Sequence, residues 1–161
     1  MSQLKVTQRL MSLRDKFMVT DLLDQTRYQV SEKLFTWGKV YSILDSKGRE
    51  VARIEEKVLS FRPTFYVTVG GNPVAKIRKE WTLFRSQYSI EGANLRCEGD
   101  FFSMNFQVFE GSRQIADVNK KFFTLRDTYL LDVPDEGQEL MVLALVLAID
   151  ICEHSPRSRG K

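Results

Sequence analysis

The sequence predicts an all-β fold with one central helix. We expect a twelve-stranded antiparallel closed barrel, built from six hairpin repeats, that encloses a hydrophobic carboxy-terminal α-helix. Three observations support this: a segment of about 23 residues recurs along the chain, each copy has the pattern of a β-hairpin, and the last segment is apolar on all sides. At 161 residues we expect a single domain, 1–154, with strands over about 4–133 and the helix over about 135–153.

The internal repeat is clearest between "VARIEEKVLSFRPTFYV" (51–67) and "VAKIRKEWTLFRSQYSI" (74–90), which match at a shift of 23. It returns in "IADVNKKFFTLRDTYLL" (115–131). An apolar anchor position recurs with spacings of 24, 24, 23, 18 and 23, at Leu13, Trp37, Phe61, Phe84, Phe102 and Leu125. Three residues separate each anchor from the next aromatic residue, and polar, Gly-bearing stretches lie between units. We therefore predict six hairpins with three-residue turns.

The segment from Pro134 to His154 breaks the repeat, because it contains ten unbroken apolar residues, Leu140 to Ile149. Leu, Met and Ala dominate it, which favours a helix, and Asp135 is placed to cap the amino terminus of that helix. Ten apolar residues fall short of the ~20 that span a bilayer, so we expect a buried helix and no transmembrane segment.

The size of a barrel decides whether it can hold that helix. Eight tilted strands give a backbone radius of roughly 8 Å and twelve give roughly 12 Å, whereas a helix with its side chains is about 10–12 Å across. The helix therefore does not fit inside eight strands and fits inside twelve. The hairpin count and the hydrophobicity of the helix agree on the same barrel, whose closure also removes exposed strand edges.

The hairpin motif K-x-x-S/T-L/F-R/G-x-x-Y/F-x-I/V, followed by a final apolar helix, resembles the LURP-one-related family, whose fold is shared with tubby carboxy-terminal domains and phospholipid scramblases. The resemblance runs from about Leu4 to Cys152 and is most specific in "QRLMSLRDKFMV" and "KLFTWGKVYSILDSKGREVARIEEK". It implies the same barrel with a central helix and implies little about activity. Scramblases add a metal-binding segment and a membrane-inserting end, which this chain lacks, so the resemblance does not extend to lipid scrambling.

Patterns typical of catalysis or metal binding are scarce. His154 is the only histidine and lies at the predicted helix end, where the helix dipole favours a cation. Cys97 and Cys152 match no metal or redox spacing, and we expect them to be buried thiols in a reducing compartment. The sequence therefore predicts no catalytic residue, no metal site and no cofactor, and we expect that the protein is not an enzyme.

Repeated cations are the main candidate for a binding surface. In an up-and-down barrel the turns inside hairpins meet at one rim, and the cations on that rim are Arg14, Lys16, Lys39, Arg62, Arg85 and Arg126. The other rim receives the acids Asp21, Asp24, Asp45, Glu91 and Glu110. Alternation in the fourth unit turns Lys76 and Arg78 outward as a second basic cluster. We predict these eight cations as a site for an anion or a lipid headgroup.

The sequence thus indicates a non-catalytic, tubby-like binding or scaffold module that is cytoplasmic or peripheral at a membrane, since no signal-peptide pattern is present. Its basic rim is expected to bind anionic phospholipid or phosphoinositide headgroups, or a protein partner. A simpler interpretation is that charged turns only maintain solubility. The alternatives are a nucleic-acid or transcription-linked regulator, suggested by the net charge of +3 and the flexible basic tail 155–161, and an enzyme of unknown type.

Overall fold

A twelve-stranded antiparallel sheet wraps around one helix in the computed structural model, which describes residues 2–9, 15–81, 86–120 and 128–154. The strands within these residues are β1 (Ser2–Gln8), β2 (Asp15–Thr20), β3 (Thr26–Glu32), β4 (Val40–Asp45), β5 (Glu50–Glu56), β6 (Thr64–Val69), β7 (Asn72–Trp81), β8 (Ser86–Glu91), β9 (Leu95–Asp100), β10 (Asn105–Glu110), β11 (Arg113–Asn119) and β12 (Thr128–Val133). A 3₁₀ turn, Glu136–Gln138, leads into the helix α1, Glu139–His154. The predicted barrel with a central helix is confirmed. The basic tail lies outside the described residues.

The strand order is β8-β7-β6-β5-β4-β3-β2-β1-β12-β11-β10-β9. Neighbours in sequence therefore pair in space, and β1 joins β12 through a register that runs from Ser2 opposite Val133 to Thr7 opposite Thr128. The first and last hairpins are consequently side by side. In the described part of the chain, no ladder of hydrogen bonds joins β8 to β9, so the barrel is nearly closed and carries one seam.

The strands alternate between apolar side chains that point inward and polar side chains that point outward, as half-buried antiparallel strands do. In β1, the buried residues Leu4 and Val6 alternate with Lys5 and Thr7, which are partly exposed. In other strands the same alternation places further apolar residues inside the barrel. These buried residues are Phe17, Val19, Val30, Tyr41, Ile43, Ala52, Ile54, Phe65, Val67, Ala75, Ile77, Phe106, Val108, Ala116, Val118, Tyr129 and Leu131. These side chains form the wall against which α1 packs.

One irregularity of the sheet recurs in the second strand of several hairpins, just before the turn to the next hairpin. The register shifts between Val19 and Thr20, between Ile43 and Leu44, between Val67 and Thr68, and between Val108 and Phe109. A bulge of this kind bends its strand and strengthens the local right-handed twist. The repeats therefore curve the sheet around the helix by the same local device.

The connections within hairpins differ from the predicted three-residue turns, and that prediction is wrong. The links β3–β4 and β5–β6 are seven residues long, 33–39 and 57–63, and each includes its anchor residue. Phe35 and Leu59 have φ values of 62° and 61°. Because this left-handed backbone does not continue a strand, pairing stops several residues before the anchor is reached.

The start of α1 is fixed by polar contacts. Asp135 caps the preceding 3₁₀ turn as its side chain accepts a hydrogen bond from the backbone N–H of Gly137 at 2.9 Å. The buried Glu139 accepts a hydrogen bond from the Tyr28 hydroxyl at 2.5 Å and pairs with Arg27 at 3.3 Å. Burial, followed by the hydrogen bond to Glu139, raises the pKa of Tyr28 above its ordinary range, so its hydroxyl remains a donor.

The middle of α1 is enclosed on every side, as the unbroken apolar run predicts. Val142 to Ile149 are each at most 1% exposed, a degree of burial that leaves no position of this stretch in contact with solvent. Such a helix gains its stability from tertiary packing rather than from intrinsic propensity.

We predict that Leu145→Asp prevents folding, because an unpaired carboxylate in this enclosed core costs several kcal/mol, comparable with the net stability of a domain. Circular dichroism and thermal denaturation measure the outcome. Leu23→Asp is the matched control: it makes the same change at an exposed leucine and is expected to leave the fold intact. A soluble Leu145→Asp protein with a cooperative transition would show that the helix is not enclosed.

Candidate functional site

The two rims of the barrel are built from different connections. The loop rim consists, among the described residues, of the connections within hairpins, 33–39, 57–63 and 101–104. The turn rim consists of the connections between hairpins, 21–25, 46–49, 70–71, 92–94 and 111–112. Glu139 at the start of α1 contacts β3 near the turn rim, and His154 at its end contacts Phe102 of the loop rim. The helix therefore runs from one rim to the other.

The turn rim contains the predicted acidic residues, and much of its acidity serves turn structure. Asp21 accepts hydrogen bonds from the backbone N–H groups of Leu23 and Gln25 at 2.8 and 3.0 Å. Asp45 accepts equivalent bonds from Lys47 and Arg49 at 2.9 and 3.0 Å. The backbone hydrogen bond from Arg49 is the main cause that lowers the pKa of Asp45. These carboxylates are best explained as turn caps.

The structure separates the eight predicted cations into groups. On the loop rim lie Lys39 and Arg62, with Lys16 just inside it near the start of β2. On the outer face of β7 lie Lys76 and Arg78. Outside the described residues lie Arg14, Arg85 and Arg126. The described cations are therefore not one continuous site.

One glutamate neutralises much of the second basic cluster. Glu80 of β7 pairs with Arg62 and, at 2.8 Å, with the Nε atom of Arg78. The ammonium group of Lys76 lies 3.9 Å from Glu91. Exposed pairs of this kind contribute little to stability, but they cancel charge locally. The outer face of β7 is consequently less attractive to anions than the sequence indicates.

A cavity of about 170 Å³ opens at the loop rim, between the barrel wall and the end of α1. Its lining residues are Gln8, Lys16, Phe17, Glu32, Lys39, Tyr41, Asp150, Ile151 and His154. Lys16 is partly neutralised inside it by Glu32 at 3.3 Å. The cavity thus combines both signs of charge at the end of the barrel where the predicted cations Lys16 and Lys39 lie.

The end of α1 contributes a hydrogen-bonded chain to this cavity. The Nδ1 atom of His154 lies 2.8 Å from a carboxylate oxygen of Asp150, and its Nε2 atom lies 3.2 Å from the Phe102 carbonyl oxygen. The hydroxyl of Tyr129 donates to the other carboxylate oxygen of Asp150 at 3.2 Å. The hydrogen bond to Asp150 raises the pKa of His154 above its ordinary value of 6.5.

A second carboxylate near the end of α1 is buried with a cation. Glu153 pairs with Lys79 at 3.3 Å, and both side chains are almost completely buried. The Tyr88 hydroxyl donates to Glu153 at 2.5 Å. Burial raises the pKa of Tyr88 above its ordinary range. A buried ion pair with an added hydrogen bond fixes the helix against β7 and β8, which is a structural role.

The loop rim also exposes large apolar side chains, some of which stand at anchor positions of the hairpin repeat. Trp37 is 94% exposed and Phe61 is 86% exposed, and both stand at anchor positions. Phe35 and Leu59 are exposed to a similar extent. The sequence contained a signal for these residues. In "KLFTWG" and "KVLSFR" two apolar residues stand side by side, and a hydroxyl residue separates them from an aromatic residue. This order does not fit the apolar–polar alternation of a strand.

A further cavity, of about 450 Å³, lies at the seam between β8 and β9. It is lined by Gln87, Tyr88, Arg96, Cys97, Glu98, Gly99 and Phe101. Burial raises the pKa of the Cys97 thiol to about 12, so the thiolate is not populated at neutral pH. Cys97 and Cys152 are both free thiols. The seam therefore offers space without an activated nucleophile.

Within the parts of the chain that the structure describes, no group of three or more His, Cys, Asp or Glu side chains is arranged to hold a metal ion. No helix in the same ranges has the length and apolar character needed to span a membrane.

The sequence profile of the LURP-one-related family matches residues 2–150, which is nearly the whole chain. The chain belongs to the LURP-one-related family. It is 28% identical over 151 residues to the uncharacterized protein YxjI of Bacillus subtilis (strain 168), an alignment that covers 94% of this chain and 93% of that protein.

The fold has a counterpart among solved structures. The X-ray structure of a protein from Arabidopsis thaliana superimposes with a TM-score of 0.64 and covers 93% of this LURP-one-related chain and 90% of its own. Its sequence identity of 15% makes the likeness one of fold alone. The family and the fold are thus established.

We predict that the imidazole of His154 titrates above pH 6.5, because Asp150 stabilises its protonated form. NMR measures this pKa directly, since the chain contains a single histidine. A folded-state pKa above the unfolded value means that protonation stabilises the fold. This stabilisation is complete below the unfolded pKa and is lost as the pH rises through the folded pKa.

The same linkage can be measured with His154→Gln. The difference in free energy of unfolding between the wild type and this variant is expected to be largest below about pH 6 and to shrink at higher pH. The other titratable groups that line the same cavity, Lys16, Glu32, Lys39, Tyr41 and Asp150, are present in both proteins, so the difference measures His154 together with its hydrogen bond to Asp150. A difference that does not depend on pH, or an imidazole pKa at or below 6.5, would contradict this account.

Proposed function

We propose that the protein is a non-catalytic binding module whose loop rim associates with anionic phospholipid headgroups at a membrane surface. The observation that supports it best is the charge of the two seven-residue loops, 33–39 and 57–63. Together they contain four cations, Lys33, Lys39, Lys57 and Arg62, and no carboxylate. The net charge of the whole chain is only +3, so positive charge is concentrated at this rim.

The distribution of ion pairs strengthens the asymmetry between the rims. Arg62 is paired with Glu80, and Lys33 lies 3.8 Å from Glu50. Among the described residues, no carboxylate lies within ion-pair distance of the ammonium groups of Lys39 or Lys57. A lysine close to an anionic bilayer contributes about 1 kcal/mol of attraction, and this attraction is screened by salt. Lys39 and Lys57 are therefore expected to contribute most to headgroup binding.

A membrane surface fits these cations better than the other classes of partner. The positive charge sits on protruding loops beside exposed aromatic residues, an arrangement that suits the interface between water and lipid. A nucleic-acid interface needs a larger basic surface, and the cations on the outer face of β7 are compensated by Glu80 and Glu91. A protein partner is an outcome that the binding experiment separates from a membrane.

We predict that the protein sediments with vesicles of phosphatidylserine and phosphatidylcholine more strongly than with phosphatidylcholine alone, and that salt weakens this preference. Lys39→Ser combined with Lys57→Ser should lower the partition coefficient about 30-fold at low salt, since two lysines contribute about 2 kcal/mol and 1.4 kcal/mol is tenfold.

The control removes two exposed cations from the turn rim, Lys47→Ser combined with Arg113→Ser. It changes the net charge by the same amount and is expected to leave binding nearly unchanged. Equal sedimentation with neutral and anionic vesicles would refute headgroup binding. Equal loss in both double variants would mean that net charge, rather than the loop rim, determines association.

A further inference from the structure

The loops 33–39 and 57–63 are two copies of one structure. Their sequences, "KLFTWGK" and "KVLSFRP", align without a gap as a cation, two apolar residues, a hydroxyl residue and an aromatic residue. Each loop is closed by the same backbone bond, from the N–H of Lys33 to the carbonyl of Val40 and from the N–H of Lys57 to the carbonyl of Thr64, both at 2.8 Å. The sequence repeat therefore extends to the detailed conformation of the loops.

Both loops hold an apolar residue in a backbone conformation that disfavours it. Phe35 and Leu59 occupy equivalent positions, with φ values of 62° and 61°. Asn, Asp and Gly adopt this left-handed region far more readily than Phe or Leu. The side chains of both residues point away from the protein and contribute nothing to the core. Folding alone thus gives no reason for a large apolar residue at either position.

The conformation of each loop is fixed by its own polar groups. The Thr36 hydroxyl donates to the carbonyl of Gly38, and the Ser60 hydroxyl donates to the carbonyl of Arg62 at 2.7 Å. The loops also pack side by side, since a Cβ atom at Gly38 would lie 3.0 Å from a methyl carbon of Val58. The two loops are therefore neighbours and present their apolar tips next to each other.

The sequence repeats the same pattern in two other hairpins. "RLMSLR" (9–14) and "KFFTLR" (121–126) again give a cation, two apolar residues, a hydroxyl residue and an apolar residue. Most of these two copies lies outside the described residues, but the strands that flank them are described. The order β6-β5-β4-β3-β2-β1-β12-β11 makes the four hairpins consecutive neighbours in the sheet. The pattern therefore belongs to eight consecutive strands of the twelve-stranded sheet.

We propose that the loops 33–39 and 57–63 insert their apolar tips into the bilayer. Phe35, Trp37, Leu59 and Phe61 would then lie at the boundary between headgroups and acyl chains. This inference rests on the proposed function and adds a second, hydrophobic component to it. Burial of apolar side chains in the bilayer is favourable, and Trp suits the interfacial depth. The cations at the base of the loops, Lys33, Lys39 and Lys57, would remain at headgroup level.

A deformable partner fits these tips better than a folded protein surface does. The four tip side chains are between 86% and 102% exposed, so a protein partner would need a separate pocket for each one. A bilayer supplies an apolar environment at any lateral spacing. The segments 33–39 and 57–63 add charge complementarity to anionic lipid, since they contain four cations and no carboxylate of their own.

The first experiment follows the fluorescence of Trp37 in the full-length protein with vesicles of phosphatidylserine and phosphatidylcholine. We expect the emission to shift to shorter wavelength on binding and to be quenched by lipids brominated on their acyl chains. The chain has two tryptophans, so Trp37→Phe serves as the control in which the shift and the quenching should disappear. A Trp37 emission that stays unshifted and unquenched on bound protein would overturn insertion.

The second experiment tests the tips by substitution, with Phe35→Asn combined with Leu59→Asn. Because Asn suits the left-handed backbone, the melting temperature should stay the same or rise, while the vesicle partition coefficient falls at least about tenfold. Leu22→Asn combined with Leu23→Asn is the matched control on the turn rim, where both leucines are exposed, and it should bind as the wild type does. A purely structural role of the tips predicts the opposite result, lower stability with unchanged binding.

The outcomes separate insertion from headgroup binding. If the wild type and the Phe35→Asn, Leu59→Asn variant bind anionic vesicles equally, insertion is overturned and headgroup binding remains. If the wild type binds neutral and anionic vesicles equally, and Trp37 is quenched in both, insertion is supported and the headgroup proposal is refuted. No binding to either vesicle overturns both.

Discussion

The structure depends on the burial of one helix that has no polar face. Val142 to Ile149 are apolar throughout, so the sheet must provide a matching apolar surface on all sides of the helix. That requirement accounts for the inward residues of the strands, for the number of strands and for the recurrent bulges that curve them. The ends of the helix are polar, and each is fixed by a tyrosine and a cation of the wall: Tyr28 and Arg27 at Glu139, Tyr88 and Lys79 at Glu153.

Because the helix fills the barrel, binding chemistry has to lie at the rims or on the outer face. The turn rim uses its carboxylates to close tight turns, as Asp21 and Asp45 show. The loop rim has two seven-residue connections, 33–39 and 57–63, in which Phe35, Trp37, Leu59 and Phe61 are largely exposed. The same repeat therefore produces two surfaces of different chemistry, one that serves the fold and one that is free to contact a partner.

The fold could be predicted from the sequence because its determinants are local and periodic. Alternation identifies inward residues such as Val6 and Ile54, and the unbroken apolar run identifies α1. The seam between β8 and β9 had a weaker signal in the sequence. The anchors Phe84 and Phe102 are only 18 residues apart, the one short spacing of the repeat, and β8 and β9 lie between them. No hydrogen-bonded ladder joins these two strands in the described residues.

The candidate site was predicted less well, because its properties depend on contacts between strands. Glu80 pairs with Arg62 across a sheet register that no single segment reveals. The apolar anchors raise a different difficulty, since periodicity marks a recurring residue without showing whether it is buried. Trp37 and Phe61 recur at the spacing of the repeat and are nonetheless exposed, because the left-handed residues Phe35 and Leu59 end the strand pairing before them.

The pairing of β1 with β12 has a consequence for how the chain is made. A ribosome delivers the amino terminus first, so β1 waits with one unpaired edge until more than a hundred further residues have emerged. The helix that fills the interior is synthesised later still. Contacts so distant along the chain are slow to form and leave apolar strands exposed in the meantime. The core therefore cannot be completed until β12 and α1 have both been synthesised.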